Sequence, residues 1–277
     1  MSAESSENKT RHFIDSGWQS GRYNMDYDLQ LVERCKKENA SFLRIYGWKP
    51  YAISLGYNQN KSPKDLPINY ARCKEDGLDV VQRPTGGRAV LHSEELTYSV
   101  VFKSNKSGRE IYRDISLALM EGLKMIEPGN KKLQELSFTK KNPDLLSLVK
   151  TGMYNVCFNA SVTNEINLEG KKLVGSAQRK FGNIILQHGS ILIGEHHKNI
   201  VKYLKIPDEK QALRMIEELD EKTICLEQIL NRKVTFEETG KAIFSGFEKA
   251  MGIKFTTINR LADLIAKRAL PVENILN

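Results

Sequence analysis

Cysteine is scarce in this 277-residue sequence: four residues, at positions 35, 73, 157 and 225, none of them in a C-x-x-C pair. That excludes a zinc ribbon, a dithiol redox motif and a disulfide framework, and the four are expected as reduced thiols. Long apolar runs are missing too. No stretch approaches the roughly 18 apolar residues that a membrane span needs. The opening residues MSAESSENKTRHF lack the apolar stretch of a signal peptide, so a cytoplasmic location without membrane attachment is expected. The glycine signatures of nucleotide-binding folds are absent: no G-x-G-x-x-G follows a strand, and no G-x-x-x-x-G-K-[ST] occurs. Histidine is sparse, and the adjacent His196 and His197 cannot share a helix face. With no carboxylate pair to complete a ligand set, they predict a solvated pair and no metal site.

What remains is an ordinary globular composition, 40% hydrophobic and 27% charged, with a mean hydropathy of -0.44. It can build a sizeable core, which excludes a disordered chain, a collagen-like fibre and a low-complexity polymer. The balance is basic, with 42 Lys+Arg against 34 Asp+Glu and a net charge of +8. Such a charge attracts something acidic at low salt. The basic residues are scattered, and the pairs Lys131-Lys132, Lys140-Lys141 and Lys171-Lys172 show no zinc-finger, RNP or basic-helix pattern. Nucleic acid is therefore not expected, and an acidic protein fits the charge equally well.

Residues 1–10 are polar and predict a disordered tail, with ordered structure starting at a strand over His12–Asp15. Met25, Leu29, Val32 and Cys35 recur at helical spacing, and FLRIYGW and AISLGY read as consecutive strands with a tight connection. A helix over Asn69–Asp76 stops at Gly77, a strand follows over Asp79–Arg83, and then comes a glycine loop, Pro84–Gly87. RAVLH and TYSVVF read as two more strands. Ile111, Ile115, Leu119, Leu123 and Ile126 mark a helix ended by Pro128-Gly129. Asn130–Asn155 is polar and irregular. EINLEG, KKLVGSAQRK and NIILQHGSILIG form three strand-like runs with hairpin turns at Gly170 and Gly182, and the last third is helical. There Thr235, with Glu238 three residues on, predicts a capping box. The expected class is α+β, with mixed, mostly antiparallel sheets flanked by helices.

The densest unusual segment is Arg83-Pro84-Thr85-Gly86-Gly87-Arg88-Ala89-Val90-Leu91-His92. Gly86 and Gly87 let a backbone approach a ligand closely, and Arg83, Arg88 and His92 surround them with donors. From the residues alone, a ligand loop and a hairpin turn with flanking cations are equally good readings. Cys157, beside Phe158, reads as a small buried hydrophobe or, among Asn155, Asn159 and Ser161, as a nucleophile. Lys172 by itself reads as a solvated turn lysine. His188 reads as a structural histidine satisfied by the backbone or as a catalytic group.

The combination of RPTGGRAVLH, LRIYGWKPYAISLGYNQ at 43–59, ELTYSV at 95–100, GKKLVGSAQ at 170–178 and ILQHGSILI at 185–193 resembles, in order, the biotin and lipoate protein ligase and octanoyltransferase superfamily. The likeness runs over residues 11–255 and implies that superfamily's catalytic domain there, leaving 256–277 as a helical tail. A cysteine fifteen residues before the lysine of KLVGSA is similar to the octanoyltransferase branch. The resemblance then implies that Cys157 carries an acyl thioester with Lys172 against it, and that Arg83, Gly86, Gly87, Arg88, His92, Gly175, Ser176, His188 and Gly189 bind substrate. It implies octanoyl-acyl carrier protein as donor and a lipoyl domain, the glycine cleavage system H protein first, as acceptor, with no cofactor. An ATP-dependent lipoate ligase, or an amidotransferase between lipoyl domains, stays open beside it.

Overall fold

The structure is a computed structural model that describes residues 10–59, 66–139 and 165–258. Its first half runs β1 (Thr10–Gln19), α1 (Gly21–Lys37), β2 (Ala40–Trp48), β3 (Ala52–Leu55), α2 (Tyr70–Glu75), β4 (Asp79–Gln82), β5 (Val90–His92), β6 (Glu95–Lys103) and α3 (Gly108–Ile126). The second half adds α4 (Lys131–Gln134), β7 (Ser137–Phe138), β8 (Ile166–Leu168), β9 (Lys171–Lys172), β10 (Val174–Phe181), β11 (Ile184–Leu192) and a 3-10 helix, His196–Tyr203. It closes with α5 (Glu209–Lys222), α6 (Leu226–Leu230), α7 (Phe236–Met251) and β12 (Thr256–Ile258).

Six strands form the main sheet in the order β10-β11-β6-β2-β1-β12. Its first four strands are antiparallel neighbours, and β1 runs parallel to both β2 and β12. Alternation along β2 decides what covers each face. Leu43 and Ile45 pack with Ile115, Leu119 and Phe247 of α3 and α7, whereas Phe42 packs with Leu31 and Val32 of α1. The α+β class with mixed, mostly antiparallel sheets holds.

The glycine loop is not a hairpin. Its flanking strands β4 and β5 lie on opposite sides of β3, parallel and antiparallel to it, so Pro84–Gly87 crosses over the end of β3. The crossing is tight. A Cβ built on Gly56, just past β3, would stand 1.9 Å from the Gly87 carbonyl oxygen.

Other expectations shift for physical reasons. KKLVGSAQRK is two strands, because β9 pairs with β8 in a small sheet (β7-β8-β9) while β10 pairs with β11. Gly170 (φ 83°) and Gly182 (φ 64°) do make the turns. Within the stretch read as irregular, α4 and β7 are ordered because Leu133 and Leu136 are buried in the main core. Thr256–Ile258, expected to start a helical tail, form β12 by pairing with the edge of β1, and Thr10, expected in the tail, already belongs to β1. Thr235 caps α7 through the Glu238 amide, but the Glu238 carboxylate turns to Arg232, so only half of the capping box forms. On α1, Leu29 is only partly buried, and the inward stripe includes the polar Asn24 and Asp28.

Candidate functional site

Those two polar residues find partners in the sheet beneath. Arg44 of β2, Ser99 of β6 and His188 of β11 stand directly opposite one another in adjacent strands, forming one row across the face that α1 covers. All three reach the Asp28 carboxylate. Arg44 Nη1 donates to Oδ1 at 2.8 Å, Ser99 Oγ to the same oxygen at 2.7 Å, and His188 Nδ1 lies 3.2 Å from Oδ2. The Tyr46 hydroxyl adds a bond to Oδ2 at 3.1 Å, and Asn24 Oδ1 takes Arg44 Nη2. Burial alone would raise the Asp28 pKa, but the His188 hydrogen bond and the Arg44 charge outweigh it and hold it below the ordinary value. Burial lowers the His188 pKa, so the ring is neutral near pH 7.

A second carboxylate organises the next row, Tyr46, Thr97 and Ser190. Glu95 Oε1 accepts from Thr97 and Ser190 and lies 2.8 Å from His92 Nδ1. Burial would raise its pKa, yet the His92 charge and these hydrogen bonds bring it below the ordinary value. His92 stacks on Trp48 with ring centroids 3.9 Å apart, and its Nε2 meets Ser54 Oγ at 2.7 Å. Ser54 accepts from Arg83, whose guanidinium also holds the carbonyls of Gly86 and Arg88. Arg83 is therefore buried as the internal brace of the glycine loop. Thr85, within that loop, places Oγ1 2.6 Å from His188 Nε2.

Above these rows lies a pocket. Met25 of α1, Tyr46 and Trp48 of β2 and Val90 of β5 supply apolar wall, and Arg83, His92 and His188 supply polar groups. Gly175, Ser176 and Gly189, from the facing strands β10 and β11, line it too, as do Glu165 and Lys172. Ser176 Oγ is 2.7 Å from the Tyr98 hydroxyl. Lys172 is no solvated turn residue: its ammonium lies 3.0 Å from Glu165 Oε2, with only 3% and 4% of the two side chains exposed. A largely apolar slot with a few convergent charges suits an acyl tail ending in a reactive carbonyl.

Of the residues singled out from the sequence, Arg83, His92, Lys172, Gly175, Ser176, His188 and Gly189 thus meet around one pocket. Gly86, Gly87 and Arg88 are not among the residues lining it, although Arg83 and Val90 at the two ends of their loop are; Gly87 is exposed and Arg88 partly buried. Cys157 lies outside the described residues. His188 is satisfied by side chains instead of the backbone. His197, expected in solvent, is buried against Thr223 and the Gly194 carbonyl, and burial lowers its pKa to about 4. Cys35, Cys73 and Cys225 are core thiols. Among the described residues no group of His, Cys, Asp or Glu could hold a metal ion, and no helix is long and apolar enough to cross a membrane. Sequence reading missed Asn24, Asp28, Arg44, Glu95 and Glu165. The signal available was polar residues on otherwise apolar faces, Asn24 and Asp28 at helical spacing and Arg44 in the middle of FLRIYGW.

The model of the lipoyl protein ligase A/B catalytic domain matches residues 20–248. The chain is 34% identical over 253 residues to Octanoyltransferase LipM of Bacillus subtilis (strain 168), covering 89% of this chain and 88% of the relative. It is also 34% identical over 247 residues to Octanoyltransferase LipM of Geobacillus kaustophilus (strain HTA426), covering 87% and 86%. Among solved structures, the bipartite lipoate protein ligase of Thermoplasma acidophilum superposes with a TM-score of 0.67 at 20% identity, over 93% of this chain and 90% of that one. A lipoate-protein ligase A bound with ATP superposes at 0.68 and 19% identity, over 93% and 92%.

Proposed function

The chain belongs to the lipoyl protein ligase A/B catalytic-domain family, and we propose that it is an octanoyltransferase of protein lipoylation working through a Cys157 thioester. The Cys157 thiolate attacks the thioester carbonyl of octanoyl-acyl carrier protein, and the tetrahedral oxyanion collapses with loss of the carrier's thiolate, which takes up a proton. The neutral amine of a lysine on a lipoyl domain, the glycine cleavage H protein first, then attacks the Cys157 thioester. An amide forms, and the cysteine sulfur leaves with the amine's proton. A thioester is already activated relative to the amide, so the transfer needs neither ATP nor a metal.

The observation that carries this reading is Lys172, a buried ammonium on the wall of a mostly apolar pocket, in a chain one third identical to proteins named octanoyltransferase. A fixed positive charge there stabilises the oxyanions of both steps and the departing thiolate. Intact mass after mixing with octanoyl-acyl carrier protein, without ATP, tests it. The expected product carries one octanoyl group that hydroxylamine removes and that Cys157→Ala does not acquire. Acylation that appears only with ATP and survives Cys157→Ala makes the protein a lipoate ligase instead. Transfer from an octanoylated lipoyl domain but not from the carrier protein makes it an amidotransferase.

A further inference from the structure

The transfer chemistry uses neither Asp28 nor Thr85, yet the two are the ends of a buried hydrogen-bonded chain that runs from α1, through the main sheet, to the glycine loop. We propose that Asp28 and Thr85 are positioning residues that act through His188, fixing its tautomer and thereby locking the glycine loop at the pocket edge in the register acyl transfer requires. The choice of activity assay rests on the octanoyltransferase reading; the structural claim does not.

The polarity of the chain follows from what each group can donate. An ionised Asp28 only accepts, so the hydrogen of the neutral His188 ring sits on Nδ1 and points at Oδ2. Nε2 then has only a lone pair to offer. Thr85 Oγ1, 2.6 Å away, must be the donor, which commits the one proton of that hydroxyl. Arg44 and Ser99 supply the opposite end of the lock by occupying Asp28 Oδ1. Because Arg44, Ser99 and His188 are hydrogen-bonded strand neighbours, the carboxylate is held by three strands at once and cannot shift without moving the sheet.

The loop needs such an anchor. Arg83 ties Gly86 and Arg88 to each other and to Ser54, all within the small sheet's own end. Among the described residues, two hydrogen bonds tie the loop to the main sheet: Arg179 Nη1 on the Pro84 carbonyl at 2.8 Å, at the half-exposed rim, and the Thr85 hydroxyl on His188 in the interior. Arg179 also stacks on the exposed ring of Tyr57. Solvent competes for the outer tie and not for the inner one, so the inner one sets how far Gly86 and Gly87 stand from the pocket. Misplacement of a reacting group by about 1 Å can cost on the order of a hundredfold in rate.

Thr85→Val, which keeps the side chain's shape without the hydroxyl, is the first test, with Thr85→Ser restoring the donor. Three readouts are taken on the full chain. Nitrogen NMR of the ring, assigned with His188→Gln, should show the Nδ1–H tautomer in the parent protein and a shift toward Nε2–H in Asp28→Asn. Amide hydrogen exchange at Tyr57, whose N–H donates to the Thr85 carbonyl at 2.9 Å, should quicken about tenfold or more in Thr85→Val and return in Thr85→Ser. Octanoyl transfer should lose about ten- to a hundredfold in kcat in Thr85→Val, with donor KM within about threefold, and recover in Thr85→Ser.

A parent ring in the Nε2–H or imidazolium form overturns the proposal. So does a folded Thr85→Val that keeps parental exchange and kcat, or one whose kcat loss is matched by a lower fraction of acylatable sites, because that is damage to the fold alone. If Asp28→Asn does not fold, the Thr85 pair carries the test. If the parent transfers no octanoyl group, the enzymatic reading fails, while the tautomer and exchange measurements still decide the positioning claim.

Discussion

The Lys172 ammonium and the Glu165 carboxylate stand 3.0 Å apart with both side chains sealed from solvent, and both line the pocket. Removing one member of a buried pair strands the other's charge, which typically costs about 3–5 kcal/mol. Glu165→Gln is expected to lower stability by about 3 kcal/mol in urea titration and to cut acyl transfer at least tenfold, because the ammonium loses a charged partner 3.0 Å away that helps to aim it. Glu165→Asp should recover part of both. Unchanged stability in Glu165→Gln would mean that the pair contributes nothing net.

Gly56 lies under the crossing glycine loop, where any Cβ would meet the Gly87 carbonyl oxygen at 1.9 Å. Since that obstacle is backbone, Gly56→Ala must displace the loop. We expect a folded protein with acyl transfer reduced by at least tenfold, and a change in the Gly86 and Gly87 amide shifts. A variant with parental kinetics would show that the loop's height over β3 is unimportant.

Burial disfavours the charged form of His197 and pulls its pKa down to about 4 from the ordinary 6.5. Its folded pKa is depressed, so the unfolded chain binds the extra proton: the contribution is complete above about pH 6.5 and is lost as pH falls toward 4, amounting to about 3 kcal/mol. His188 acts in the same sense. Below that window the depressed carboxyls of Asp28 and Glu95 add further acid sensitivity. Urea titrations at pH 7.5 and 5 should show the loss, and His197→Gln should show a shallower one. Equal slopes in the two proteins would remove His197 as its source.

The net charge of +8 attracts an acidic protein partner at low salt. Turnover at limiting octanoyl-acyl carrier protein is expected to fall several-fold between about 50 and 300 mM salt, through slower encounter, while kcat at saturation stays level. A rate indifferent to ionic strength would reduce the charge to composition.

Much of the architecture was legible because it is written in local rules. The helical spacing of Ile111 to Leu123 and the left-handed turns at Gly170 and Gly182 reflect interactions within a few residues, and each is where the spacing placed it. The residues gathered at the pocket were legible as a list, since Arg83, His92, Lys172 and His188 sit in motifs. Their contacts were not. Arg83 lines the pocket and also braces the loop from within; Lys172, which by itself read as a turn lysine and by resemblance as the lysine against the nucleophile, is buried on Glu165.

By itself the sequence determined the α+β class, the turns at Gly170 and Gly182 and the Thr235 cap, because periodicity and turn residues act over short range. Tertiary structure alone decided that the glycine loop crosses β3, that KKLVGSAQRK divides between two sheets, and that Arg44, Ser99 and His188 form one row under Asp28. Burying a charge is affordable only when a distant partner meets it. Such partners, sixteen to 160 positions away from Asp28, are set by strand register and not by neighbouring residues.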